Sequence, residues 1–471
     1  MINEASERLR RCPVTVTAVA VAIAGLLGLA AFLAVSEEDH VSRLQAQAAG
    51  LLSRPFINQG ILVNQQQPEV FELDRWKQAA LKKPLKADCP LRFQRPTLQE
   101  LQGRDVRPYL FGGAQRPSCK NCHVAGSRRG RADFCHYIFH HGARVCPHED
   151  QDRLLQYFLD RAASGSQWAL NMLQLTPCDL WPFIQGRTLW LMGDSITQEF
   201  MIAMECFFFE WYPDNDKEGP YGRTFVSNNT QAVETSMKEG GVGPWCVPLP
   251  EGTRICHLRT NMGLDWGQNV VPVLPDLGAL PTDILIGNFA VWINNDTEYE
   301  TNIAAFGETY KRMAPQLPFF IWRDASVQHF QTHTGDYNNA GYPFHCQPIG
   351  GEEGSDLAIT PEGALTSEDP ELEVVLKGGW RNEIGYRMIP ELHMPIMRTW
   401  NETVPIYFLH HHYNDHCGDA LQGCPDCTHT CHPGYYQTWI YHMFEALMTS
   451  QQQMLDHFTE ASRGPGLRRA A

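Results

Sequence analysis

The chain has 471 residues, 43% hydrophobic, 11% aromatic and 19% charged, the make-up of a folded protein with room for one large domain or two ordinary ones. A formal net charge of -15 argues against nucleic acid or an anionic membrane surface as a partner. No internal repeat or long low-complexity tract is present.

Residues 1–13 form a short tail that contains Arg8, Arg10 and Arg11. Residues 14–35 carry no charge and are almost wholly apolar; as a helix they would span roughly 33 Å, about one bilayer core. Glu37, Glu38 and Asp39 follow. The positive-inside rule then places the N-terminus in the cytosol and the rest across the membrane, a single-pass type II arrangement. A cleaved signal peptide is the rival reading, but its apolar region is usually about 7–15 residues.

Of the fifteen cysteines, Cys12 precedes the apolar stretch and fourteen follow it. An even number in an oxidising lumen reads as a set of disulfides. Three Asn-x-Thr sequons, at Asn228, Asn295 and Asn401, suit the same compartment. Residues 36–115 mix polar, apolar and proline-containing pieces and read as stem or linker. Residues 116–187 are cysteine-rich, with Cys119-x-x-Cys122, Cys135, Cys146 and Cys178. Nearby histidines, among them His123, His136, His140, His141 and His148, raise a zinc reading, but no second clean Cys-x-x-Cys completes it here and disulfides are the better expectation.

From residue 188 short apolar runs recur, at 188–192, 283–286, 319–322 and 405–409, with a further candidate at 254–259. Mixed segments such as 299–313 separate them. Near-continuous apolar strands between helices indicate a parallel sheet covered on both faces, with its site at the strands' carboxyl ends. A polar residue follows each main run: Asp194-Ser195, Asn288, Arg323-Asp324 and His410. Residues 343–381 read as a long surface excursion. Residues 451–471 read as a C-terminal tail, polar and basic from Arg463.

The run 188–192 stops at Gly193-Asp194-Ser195, and an apolar helix-like run follows at 196–209. A strand that breaks at Gly and opens a helix presents the next side chain at the sheet edge. Ser195 would then sit by backbone N–H groups that favour a developing oxyanion, as a serine nucleophile requires. The plain alternative is a tight turn with an N-capping Asp or Ser. A nucleophile needs a base, and the base an orienting group. Among the C-terminal histidines, His429 has a carboxylate three residues before it, Asp426, and the two share a face if this segment is one helical turn. Cys424, Cys427 and Cys431 bracket that turn and are expected to brace it by disulfides. A zinc knuckle built from Cys417, Cys424, Cys427, Cys431, His429 and His432 is the competing reading. The run His410-His411-His412 reads as a loop at a strand end rather than a ligand set.

Taken together, GDS at 193–195 and DCTHTCHPGYYQTW at 426–439 resemble the trichome birefringence-like family of plant and algal polysaccharide O-acetyltransferases (PC-esterase, SGNH/GDSL-like). The match to the family's D-C-x-H-x-C-x-P-G-x-x-x-x-W falls on Asp426, Cys427, His429, Cys431, Pro433, Gly434 and Trp439. The segment CDLWP at 178–182 resembles a further family element, and the resemblance extends over about residues 119–450. Departures are Asn288-Phe289-Ala290-Val291-Trp292 where the family has Asn-x-Gly-x-Trp-Trp, a missing proline in 323–330, and Thr430 in place of a Trp. The resemblance implies an SGNH-hydrolase-like three-layer α/β/α domain at 188–450 with a parallel sheet, preceded by the anchor, stem and cysteine-rich segment, in the Golgi membrane. It implies a Ser195–His429–Asp426 triad and an acetyl-serine intermediate; the Ser195 N–H and, from its place at a strand end, the Asn288 side chain are the expected oxyanion donors. Asp194 is expected to cap the helix, and Arg323 and His329 to line an acceptor groove. No bound cofactor or metal is expected; an acetyl donor, acetyl-CoA or a relay donor, would be co-substrate, and a polysaccharide or oligosaccharide the acceptor. An acetylesterase with the same triad, or a silent glycan-binding protein, is the alternative.

Overall fold

The computed structural model describes residues 89, 97–102, 146–208, 224–225, 245–261, 266–342, 344–351, 357–411 and 426–462. The expected anchor at 14–35, the stem but for 89 and 97–102, Cys119, Cys122, Cys135, Asn228, Cys417, Cys424 and the tail from Arg463 lie outside the described residues. Among the described residues no helix is long and apolar enough to cross a membrane.

The chain is mixed α/β with a mostly parallel central sheet. Helices α1 (His148–Ala163), α2 (Gln167–Gln174) and α3 (Pro177–Ile184) lead into β1 (Thr188–Gly193). Next come α4 (Ser195–Phe207), β2 (Thr224–Phe225), β3 (Trp245–Pro248), β4 (Arg254–Arg259), β5 (Ile284–Asn288), α5 (Asp296–Met313) and β6 (Phe319–Arg323). A small hairpin, β7 (Ala358–Ile359) and β8 (Leu365–Thr366), precedes α6 (Gly379–Met388) and β9 (Ile396–Met397). Last are β10 (His410–His411), β11 (Asp426–Thr430), α7 (Tyr435–Thr449) and α8 (Gln451–Ser462).

The sheet order is β2-β3-β4-β1-β5-β6-β9. β1 runs parallel to both neighbours, Gly193 facing Arg259 of β4 and Asn288 of β5. All six β1 residues are buried, because side chains alternate and both faces are covered. Leu189, Leu191, Ile284, Ile286 and Ile321 join the core that holds Phe200 of α4 and Trp439 of α7. Trp190, Met192, Leu285, Phe320 and Trp322 join the opposite core with Trp266, Phe289 and Phe306. Two cores on two faces are what a sheet between helical layers produces. The chain goes from β1 to β3–β4 on one side, then crosses to β5 on the other, so the sheet's switch point falls at Gly193.

Three expectations change. Residues 405–409 add no strand to the sheet: Tyr407–Leu409 is a 3-10 turn and β10 pairs with β11 alone. Pro405 has no N–H to offer a ladder, and β9 holds the place beside β6. The excursion at 343–381 includes the β7–β8 hairpin and ends in α6, where Arg381 is buried. Residues 451–462 are no tail but α8, which buries Met454 and Phe458.

Candidate active site

Ser195 is the first residue of α4. Asp194 caps that helix, its Oδ1 accepting from the N–H groups of Ile196 (3.0 Å) and Thr197 (3.4 Å), which satisfies donors the helix leaves open. Gly193 is required by space: a Cβ there would stand 2.5 Å from the Asn288 carbonyl oxygen and would strike Thr197 Oγ1. The strand therefore turns tightly into α4 and leaves Ser195 partly exposed at the carboxyl end of β1.

His429 Nε2 lies 2.8 Å from Ser195 Oγ, and His429 Nδ1 lies 2.8 Å from Asp426 Oδ2. A carboxylate only accepts, so Nδ1 carries the proton and Nε2 faces the hydroxyl with its lone pair when the ring is neutral. The two residues share a face by a different route from the expected helical turn. They belong to β11, where Thr430 pairs with His410 and Asp426 with His411, so the residues between bulge out of the ladder. Asp426 Oδ1 closes the bulge by accepting from the N–H groups of Thr428 and His429, both at 3.0 Å. Such a bulge re-aims a side chain.

The bulge is braced at both ends. Cys427 is bonded to Cys346 and Cys431 to Cys146, so neither is a thiolate for a metal. Cys89–Cys178 and Cys246–Cys256 are the other disulfides among the described residues. Gln328 Nε2 donates to Thr428 Oγ1 at 3.0 Å, and the His329 N–H to the Cys427 carbonyl at 3.0 Å. Among the described residues no cluster of His, Cys, Asp and Glu is arranged to hold a metal ion.

Burial pulls the His429 pKa down, but the charge of Asp426 and its hydrogen bond outweigh this and raise it to about 9. The His429 side chain is 24% exposed, so solvent reaches it. Glu199, one turn beyond Ser195, adds to the upward pull and also receives His432 Nε2 at 2.9 Å. Gln437 Nε2 donates to His432 Nδ1 at 3.3 Å. His432 thus has its proton on Nε2 and serves to fix the chain beyond the bulge.

Asn288 is buried at the end of β5. Its Nδ2 donates to the Arg323 carbonyl at 2.5 Å and its Oδ1 accepts from the Ala290 N–H at 2.6 Å. One of its two N–H groups thus ties β5 to β6.

Arg323 and His329 do not line a groove. Arg323 is 1% exposed; its guanidinium lies over the Trp439 ring at 4.5 Å, donates to the Asp324 carbonyl at 2.9 Å and contacts Thr197 Oγ1 at 3.4 Å. It is the last residue of β6, and alternation turns it inward. There its charge counters the buried Asp194, whose carboxyl burial raises and Arg323 lowers. His329 is 0% exposed. Its Nδ1 meets His410 Nε2 at 2.6 Å and its Nε2 meets the Val404 carbonyl at 2.8 Å. His410 Nδ1 in turn meets the His429 carbonyl at 2.9 Å.

His410 is therefore a neighbour of the site that the sequence offered only as a polar residue at a strand end and as one of three consecutive histidines, with nothing local to show that it backs His429. Burial lowers its pKa to about 4 and holds His329 well below the usual histidine range. The pair is neutral at pH 7, a compact polar prop behind the bulge. A scan of the chain against protein-family models and a search of curated proteins each return no match.

Proposed function

We propose that this chain is a serine-dependent acyl-transfer enzyme. The observation that carries the reading is the continuous Asp426–His429–Ser195 chain, with both contacts at 2.8 Å. The bond order fits a nucleophile, its base and an orienting carboxylate. The finer fold reading, an SGNH-hydrolase-like α/β/α domain, draws on the Gly193-Asp194-Ser195 turn at the switch point of the parallel sheet.

Within that class the particular activity is O-acetyl transfer to a hydroxyl of a polysaccharide in the Golgi lumen. His429 Nε2 takes the Ser195 proton as Oγ bonds to the acetyl carbonyl carbon. The tetrahedral oxyanion collapses, the donor's leaving group takes that proton and departs, and acetyl-Ser195 remains. A sugar hydroxyl then gives its proton to His429, its oxygen bonds to the acetyl carbon, and Ser195 leaves with the proton returned. The Ser195 N–H and the remaining Asn288 N–H are the oxyanion donors in this scheme. The disulfides support an oxidising compartment. Hydrolysis is the second reading, because the 24% exposure of His429 admits water to the intermediate.

The test is incubation of the protein and its Ser195→Ala variant with an acetyl donor and candidate oligosaccharides. Acetyl on sugar from the parent alone supports transfer, and free acetate from the parent alone supports hydrolysis. Equal turnover by the variant overturns both.

A further inference from the structure

Three of the four large hydrophobic side chains exposed among the described residues are aromatic: Trp292 at 49%, Tyr337 at 43% and Tyr342 at 59%. All three lie in the loops that leave the carboxyl ends of β5 and β6, the sheet edge that carries Ser195. Exposed aromatic faces gathered at one place mark a binding surface more than scattered apolar residues do.

Tyr337 and Tyr342 are built into one ridge. Buried Phe330 packs against Tyr337 and Phe344, each with centroids at 5.2 Å, and Phe344 meets Tyr342 at 5.7 Å. Asn338 Nδ2 donates to the Asn294 carbonyl at 3.2 Å, which joins the Tyr337 turn to the loop of Trp292. Cys346, two residues past Phe344, is bonded to Cys427, two residues before His429. The ridge is thus fixed by covalent and hydrogen bonds beside the catalytic bulge.

Polar groups adjoin the rings. A small hollow with room for about one water is lined in part by Gln328, Thr334, Asp336, Trp380 and Arg381, and Asp336 directly precedes Tyr337 in the chain. Arg381 is 7% exposed and occupied, donating to the Ile293 carbonyl at 3.0 Å and to Asn294 Oδ1 at 2.9 Å, with Asp336 at 3.7 Å. Its charge is therefore spent inside the protein, and the outer surface around the rings offers aromatic faces, amides and hydroxyls, with His345 exposed beside Phe344 and His333 bonded to Asp369.

We propose that this ridge binds the acceptor as a neutral glycan chain, whose pyranose C–H faces lie on Tyr337, Tyr342 and Trp292 while its hydroxyls bond to the adjoining polar groups. The proposal rests on the acyl-transfer reading for the word acceptor, and names that reaction's substrate surface. Aromatic rings suit the apolar face of a sugar. A uronate chain or the phosphates of a nucleotide donor would need a free cation, whereas the cation of the hollow is paired and the whole chain carries a net charge of -15.

The experiment is calorimetric titration of the full chain with a neutral β-linked oligosaccharide, with a uronic-acid oligosaccharide of equal length and with coenzyme A. The neutral oligosaccharide is expected to bind the parent and Ser195→Ala alike, and about ten-fold more weakly to Tyr337→Ala and Tyr342→Ala. Tyr337→Phe, which keeps the ring, is expected to restore binding. Unchanged binding in both alanine variants overturns the proposal, and so does preference for the uronic-acid chain or coenzyme A that those variants lose. Labelling of Ser195 by an activated acetyl ester separates the two readings. Glycan binding without labelling keeps the ridge and removes the acyl chemistry; labelling without glycan binding does the reverse.

Discussion

At the scale of residues, the decisive feature is the charge state of His429. Its pKa is raised from 6.5 to about 9, so at pH 7 the ring is mostly imidazolium, which has no lone pair for the Ser195 proton. On the proposed acyl-transfer reading, acylation is therefore expected to climb with pH, to reach half its maximum near pH 9 and to level off above it, read as kcat/KM against pH. Because the folded pKa exceeds the unfolded one, the stabilisation from this pair is fully present below pH 6.5 and is lost as pH rises through about 9. Asp426→Asn removes the charge that raises the pKa and the acceptor that sets the tautomer. It is expected to move the inflection well below 9 and to lower kcat roughly 10³–10⁴-fold; an unmoved inflection would assign the rise to another group. Arg323 belongs to a different account. Replacing it with Met removes one of the positive charges that draw the buried Asp194 toward its ionised form, Arg259 being another, and is expected to cost about 1–3 kcal/mol in denaturant unfolding. The acceptor KM of the folded fraction is expected to stay as it was, whereas a groove residue would raise KM and spare stability.

At the scale of elements, the proposed catalysis requires β11 to keep its bulge. Two disulfides clamp it, Cys427 to Cys346 and Cys431 to Cys146, and a base displaced by about 1 Å loses roughly 10–100-fold in rate. The paired change Cys346→Ser and Cys427→Ser is expected to lower kcat by that factor in a protein that still folds. The paired change Cys246→Ala and Cys256→Ala, within the sheet at β3–β4, is expected to lower the melting temperature with kcat nearly intact. Equal losses of kcat from the two pairs would show that the clamp on the bulge has no special role. This element is also where sequence reading reached its limit. DCTHT has no apolar run to announce a strand, and the partners of its Cys427 and of Cys431 just past it lie 81 and 285 positions away, beyond any spacing argument. The proximity of Asp426 and His429 was legible, but the fold that delivers it was not, because an Asp side chain bonded to its own backbone imitates a helical turn.

At the scale of the whole molecule, what the sequence revealed follows from how the sheet is covered. β1, β5 and β6 are buried on both faces, so they stand out as apolar runs, and their order places Gly193 at the switch point. The same logic misled at Arg323, since both faces of the sheet are covered and the layer of α4 and α7 reaches past the end of β6 to bury it, which the strand's own sequence does not show. α8 was readable and passed over: Met454, Leu455 and Phe458 recur at helical spacing. The central claim is that Ser195 becomes acylated with His429 as its base, and it is open to direct observation. The protein is mixed with an activated acetyl ester and quenched in acid, which protonates His429 and stalls deacylation, and its peptides are then weighed. The account predicts one acetyl group on the peptide that contains Ser195, absent from Ser195→Ala and formed far more slowly in His429→Ala. An unlabelled Ser195 in the parent protein, or the same label in both variants, would contradict it.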